Sequence, residues 1–185
     1  MAGKILIADS TGIQRAQIAD ALKHAGYQVV AEVGDMGQAL RKTRTLMCDL
    51  VIIDSALDGG KGIKTAQIID EDQLAAVLLL VNREVLVNAT RLPYLVKPVY
   101  DYTLIPAVET ALLYWQRYSQ LKSEILKLEE KLETRKLVDR AKVMIMTKLH
   151  LSEPEAHRFL QKEAMNRGLT LMQVAREAIR RLDEK

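Results

Sequence analysis

Two alternating periods across the first hundred residues constrain this chain's fold more than any other feature. Short apolar runs rich in Val, Ile and Leu recur at Lys4–Ala8, Gln28–Val33, residues 50–53, Ala76–Val81 and residues 95–96. Runs of this length and composition suit strands buried on both faces. Between them lie helical stretches. Ile18, Ala21, Leu22 and Ala25 are spaced i, i+3, i+4 and i+7 and form one apolar stripe, and residues 39–46 and 63–69 supply others. Strand and helix in alternation imply a parallel sheet covered on both faces. In such sheets ligands bind beyond the carboxyl ends of the strands. Asp9, Asp54 and Lys97 all fall at those ends.

From residue 101 onward the strand pattern stops. Ala107, Ala111, Tyr114, Tyr118, Leu121, Ile125, Leu128 and Leu132 recur at alternating spacings of four and three, with no Pro or Gly from 107 to 150. That is a heptad seam on one long helix. At Arg135 and Asp139 the seam turns polar, and a second stripe opens at Leu137, Val138, Ala141, Met144 and Ile145. One helix thus changes partners, first another long helix and then a local bundle. Two shorter helices follow. Ser152-Glu153-Pro154-Glu155 is a capping box with Pro in the first turn, and Gly168 can end that helix. Thr170 to Gln173 is a second box, opening a stripe at Leu171, Val174, Ala175, Ala178, Ile179 and Leu182. The expected organisation is therefore residues 1–104, a linking helix over 105–134, and a three-helix unit over 135–185.

Charge follows the same division. Of the net +3, residues 1–129 hold 14 Lys and Arg against 15 Asp and Glu, while residues 130–185 hold 13 against 9. The positive excess lies wholly in the last third, where an anionic partner is to be sought. The longest apolar run, residues 74–81, has eight residues, far below the roughly 20 that span a bilayer. No basic-then-apolar leader opens the chain, so a cytoplasmic protein without a membrane partner is expected. Cys48 is alone beside an apolar strand and reads as a core residue rather than a catalytic thiol. His24, His150 and His157 lie away from the strand ends, and no nucleophile–base pair accompanies the acids, so no enzymatic role is expected.

ILIAD at the first strand, DLVIID followed by Gly62 at the third and YLVKP at the fifth resemble a response-regulator receiver domain over residues 1 to about 115. The resemblance implies a flavodoxin-like (βα)₅ fold. It makes Asp54 the phosphoryl acceptor, Asp9 a metal-side acid and Lys97 the countercharge, with Mg²⁺ held by Asp9 and Asp54. Ser10 stands where the family has a second acid, which weakens the metal site, although its hydroxyl can hold a metal-bound water. Val81 stands where the family has a hydroxyl on the phosphoryl oxygen. Only 15 residues separate Val81 from Lys97, about six fewer than in the family, and a parallel crossover needs about a dozen. A shortened fourth helix within residues 82–93 follows, beside Tyr94 at the family's aromatic switch position. Two readings stay open: a pseudo-receiver independent of phosphorylation, whose Asp9 and Lys97 form a leftover ion pair, and a weak but working phosphoacceptor. Either a sensor kinase or an inhibitory protein that masks the long helix supplies the control.

Residues 132–182 resemble the ANTAR domain through Arg140-Ala141-Lys142, the Ser-Glu-x-Glu-Ala step ending at Ala156, Ala164-Met165 and Val174-Ala175, with Val143 where the family commonly has Gly. The resemblance implies binding of tandem RNA hairpins and transcription antitermination. Arg135, Lys136, Arg140, Lys142, Arg158, Lys162 and Arg167 are the candidate phosphate contacts. Phe159 and His157 are the candidate rings for stacking, with Phe159 expected in the core. A helix-turn-helix DNA-binding output is the rival, suggested by LTLMQVAREAI. Only six residues follow Ile179, where a turn and recognition helix need roughly a dozen. The third reading is an interaction scaffold. The seam at Tyr114, Tyr118, Leu121, Ile125, Leu128 and Leu132 implies a homodimer, although parallel pairing sets Arg117 on Lys122, Glu124 on Glu129 and Lys131 on Lys136.

Overall fold

The computed structural model describes residues 3–82 and 91–183. Residues 83–90, most of the segment 82–93 where a shortened fourth helix is expected, therefore fall outside the described residues. Contacts divide the chain into two compact units, residues 1–119 and 120–185.

The first unit is a five-stranded parallel sheet in the order β2-β1-β3-β4-β5. Its strands are β1 (Lys4–Ala8), β2 (Gln28–Val33), β3 (Leu50–Asp54), β4 (Ala76–Val81) and β5 (Tyr94–Val96). The crossovers carry α1 (Gly12–His24), α2 (Met36–Leu46), a short turn α3 (Leu57–Gly60) and α4 (Gly62–Glu71). Alternation along each strand sorts the core into two layers. Leu6, Val51, Ile53, Val77 and Leu79 face one side, with Ala39 of α2 and Ala66 and Ile69 of α4. Ile5, Ile7, Leu50, Ile52, Leu78 and Leu80 face the other, with Ile18, Ala19 and Leu22 of α1. Ala25, expected on the α1 stripe, lies past the helix end and is exposed, and Ala19 is buried in its stead. Cys48 is buried in the first layer, and burial pushes its thiol pKa up.

Helix α5 runs from Asp101 to Leu149 and changes partners along its length. Leu104, Val108 and Ala111 belong to the sheet core, so the first members of the heptad seam, Ala107 and Ala111, are already engaged there. From Tyr114 to Leu132 the seam is exposed, with Leu121, Ile125, Leu128 and Leu132 at 54–59 %.

In the second unit, Val138, Ala141 and Ile145 of α5 join Ala156 and Leu160 of α6 (Glu153–Arg167) and Val174, Ala175 and Ile179 of α7 (Leu171–Asp183). Both capping expectations hold. The Ser152 amide donates to Glu155 Oε2 at 2.9 Å. The Thr170 amide donates to Gln173 Oε1 at 2.8 Å, and the Gln173 amide returns to Thr170 Oγ1 at 3.3 Å. Gly168 ends α6 at φ +62°, a left-handed cap, and the Leu169 amide reaches back to the Ala164 carbonyl at 3.0 Å.

Candidate functional site

The acid pocket is built from three strand ends. Register sets Ala8 of β1 beside Ile53 of β3, so Asp9 and Asp54 leave adjacent strands side by side. Asp9 is fully buried and Asp54 nearly so. Lys97 follows β5, with its side chain 14 % exposed, and its Nζ donates to Asp54 Oδ2 at 2.6 Å. The other oxygen of Asp54 accepts the Ala56 amide at 3.1 Å. Lys97 thus pairs with Asp54, not with Asp9. The leftover Asp9–Lys97 pair expected for a silent scaffold is not formed, because Lys97 is bonded to Asp54 instead.

Asp9 Oδ1 accepts the Thr11 amide at 2.7 Å, fixing the turn into α1. Its Oδ2 is buried with no partner. A buried carboxylate oxygen left bare is costly, so that atom suits a cation or a water. Two carboxylates converge here. Among the described residues no group of three or more His, Cys, Asp or Glu side chains is placed to hold a metal.

Ser10, at the position of the missing acid, is a structural tie. Its hydroxyl donates to the Gly34 carbonyl at 3.4 Å and accepts the Asp58 amide at 3.1 Å, joining the loops after β2 and β3. Sequence reading missed Arg15, whose Nη1 donates to the Asp9 carbonyl. Its six-residue offset from Asp9 places it one turn into α1, which was the available signal. Val81 ends β4, buried, and offers the pocket no hydroxyl. Gly62 explains its own presence, since a Cβ there would lie 1.8 Å from the Asp54 carbonyl oxygen. The first turn of α4 therefore rests directly on the Asp54 backbone.

The bases of the second unit are unequal. Lys142 is bridged to Asp139 at 2.9 Å and Glu153 at 2.7 Å, with its side chain only 16 % exposed. Those bonds, Glu153 first, hold its pKa above the ordinary lysine value, and Asp139 is held low chiefly by the same lysine. Arg135 lies 3.9 Å from Asp139, Lys136 3.2 Å from Glu133 and Arg167 2.8 Å from Glu177. Arg140 is exposed on α5 and Arg158 and Lys162 on α6. Phe159 is the correction: it is 41 % exposed, not core. Ala156 and Leu160 occupy the buried stripe of α6, and Phe159 precedes Leu160 by one residue, about 100° around the helix. It stands beside Arg158, with Lys162 one turn on. His157 is half-buried, its Nδ1 enclosed without a partner. Val143 is exposed and crowds no helix contact. Arg176, Arg180 and Arg181 of α7 are also exposed and were passed over, although α7's apolar stripe already implied a basic outer face.

Comparison with known proteins covers both units. The response regulator receiver domain family matches residues 5–109 and the ANTAR domain family residues 126–179. The chain is 36 % identical over 178 residues to the transcriptional regulatory protein PdtaR of Mycobacterium tuberculosis, covering 93 % of this chain and 87 % of that one. It is 25 % identical over 83 residues to the aliphatic amidase regulator of Pseudomonas aeruginosa, covering 45 % and 42 % of the two chains. Among solved structures, the receiver domain of the response regulator AraT from Geobacillus stearothermophilus superposes with a TM-score of 0.55 at 21 % identity, over 64 % of this chain and 99 % of that one. A receiver domain of a modulated diguanylate cyclase from Desulfovibrio desulfuricans does so at 0.57 and 21 %, over 64 % and 99 %.

Proposed function

The chain belongs to the response regulators that join a receiver domain to a C-terminal ANTAR domain, and from that premise we propose that it regulates transcription by binding hairpin RNA and favouring antitermination. The observation that carries this reading is the surface of α6, where Phe159, Arg158 and Lys162 are all exposed on one helix within the ANTAR match. Loop bases splayed from a hairpin are read by stacking and edge contacts, and the flanking bases supply phosphate affinity. Arg140 and Arg167 extend that surface, Arg135 and Lys136 lie upstream, and Lys142 braces α5 against α6 more than it meets solvent. Selection by the full chain from stem-loops with randomised loops tests it. Defined loop bases should be enriched, and the Phe159→Ala/Lys162→Ala variant should lose that enrichment. Retention of stems without regard to loop would contradict the reading.

For the input, we infer a receiver whose acceptor geometry is kept and whose metal support is thinned. Asp54 poised on Lys97 at 2.6 Å and the bare Asp9 Oδ2 favour a slow phosphoacceptor. Ser10 engaged in loop bonds and Val81 at the β4 end favour a pseudo-receiver answering to a partner protein. Asp9 and Asp54 would hold Mg²⁺, which when bound offsets charge on an incoming phosphoryl group. Lys97 holds the Asp54 carboxylate in place, and Ser10 keeps both loops closed around it. Intact mass after incubation with Mg²⁺ and a small phosphodonor separates the two. Phosphorylation of wild type but not Asp54→Asn makes the pocket a working switch. Phosphorylation of only the Ser10→Asp/Val81→Thr variant makes it a pseudo-receiver.

A further inference from the structure

The exposed seam of α5 carries information about how a second copy meets it. In heptad terms Tyr114, Leu121 and Leu128 take position d, and Tyr118, Ile125 and Leu132 take position a. The next two places fall on Arg135 and Asp139. Flanking positions g are Arg117, Glu124 and Lys131, and positions e are Lys122, Glu129 and Lys136. A parallel dimer pairs g with the following e of its partner, and all three pairs are like-charged.

We propose that the partner is a second copy of this chain lying antiparallel, with Ile125 opposite the partner's Leu128 and Leu121 opposite the partner's Leu132. The inference rests on the dimer reading and adds its orientation and register. In an antiparallel pair e meets e and g meets g. This register sets Lys122 against the partner's Glu129 and Glu124 against the partner's Lys131, each occurring twice by symmetry. All four contacts are complementary. The polar end of the seam also finds a place. Arg135 falls opposite the partner's Tyr118, a cation over an aromatic ring. Asp139 falls opposite the partner's Tyr114, a carboxylate facing a phenol. Tyr114 and Tyr118 already stack on one another at 6.1 Å and are exposed.

Neighbouring registers fail the same test. Sliding one heptad toward the N-terminus sets Lys122 on Lys122 and Glu124 on Glu124 of the two copies. Sliding one heptad the other way sets Glu129 on Glu129 and Lys131 on Lys131. A slide of two heptads toward the N-terminus needs Ala107 and Ala111, which are engaged in the sheet core. The chosen register uses only residues the structure leaves exposed or half-exposed.

The arrangement has a functional consequence. At 1.5 Å per residue the Arg140 residues of the two copies stand about 40 Å apart along the shared axis, rather than side by side. Arg135 and Lys136 then serve the seam, and phosphate contacts fall to the later bases.

Lys122→Glu reads the orientation directly, because the two arrangements give it opposite signs. It sets glutamate on Glu129 in the antiparallel dimer and turns Arg117–Lys122 repulsion into attraction in a parallel one. Sedimentation equilibrium of the full chain should show the dimer dissociation constant rising roughly fivefold in Lys122→Glu and recovering in Lys122→Glu/Glu129→Lys. Tighter association of Lys122→Glu, or no change, overturns the proposed orientation while leaving the dimer standing. A wild-type chain that stays monomeric at tens of micromolar removes the dimer itself. Thiol oxidation gives a second readout. Leu121→Cys mixed with Leu132→Cys should form a disulfide-linked pair that neither variant forms alone, whereas self-linking of each alone marks a parallel dimer.

Discussion

Ser10 and Gly62 show how single residues around Asp54 set what the pocket can do. A carboxylate at position 10 cannot donate to the Gly34 carbonyl as the hydroxyl does, and it adds a charge beside two buried acids. Ser10→Asp should therefore destabilise the metal-free protein by about 1–2 kcal/mol, measured by urea unfolding. Millimolar Mg²⁺ should return much of that loss, since a ligand that binds only the folded state stabilises it. No recovery on adding Mg²⁺ would contradict cation binding by the variant pocket. Gly62→Ala forces a Cβ against the Asp54 carbonyl, so α4 must shift. We expect a loss of roughly 3 kcal/mol or more in the same assay. Asp9, Asp54 and Lys97 were legible in the sequence because strand ends in a parallel sheet converge. Ser10's role was not, because its partners lie 24 and 48 positions away on loops whose conformation no local pattern specifies.

At the scale of elements, the helices of the second unit are specified by their ends as much as by their stripes. Thr170→Ala removes the hydroxyl that accepts the Gln173 amide and should cost about 1 kcal/mol, checked by thermal unfolding of the full chain. Acid should loosen the same unit. Glu155 is held below the ordinary carboxylate range by its hydrogen bonds to Ser152, Glu177 by Arg167 and Asp139 by Lys142. A carboxyl whose folded pKa is depressed contributes stability that is present above its unfolded pKa and lost as pH falls through the folded one. Helical signal at 222 nm should therefore melt earlier at pH 3 than at pH 6, and Glu155→Gln/Glu177→Gln should flatten the difference. Stripes and capping boxes were readable because period and cap chemistry are local. Phe159 was misplaced because an apolar residue bordering a stripe can lie on either side of its edge, and the neighbouring Leu160 and Ala156 decided which. Ala25 failed for the opposite reason, since the spacing fitted but the helix had already ended.

For the whole molecule, one helix runs from the unit that holds Asp9, Asp54 and Lys97 into a basic three-helix unit, and its middle third is uncovered. The division at residue 119 falls within that helix, fifteen residues beyond the end of the 1–104 domain expected from the sequence, because Leu104, Val108 and Ala111 still serve the sheet. Periodicity marks an apolar stripe but not what covers it, and the stripe from Tyr114 to Leu132 is exposed here. Affinity for RNA should fall steeply with salt and should lose slope when Arg158 or Lys162 is neutralised, each removing about one phosphate contact. A competition between structured RNA and duplex DNA at matched salt tests the central claim most directly. The full chain would be titrated into a labelled pool of stem-loop RNAs and then challenged with unlabelled duplex DNA of equal length. RNA binding through the ANTAR unit requires the complex to persist at DNA concentrations that unlabelled RNA would not allow. Displacement by DNA at equal or lower concentration would contradict it.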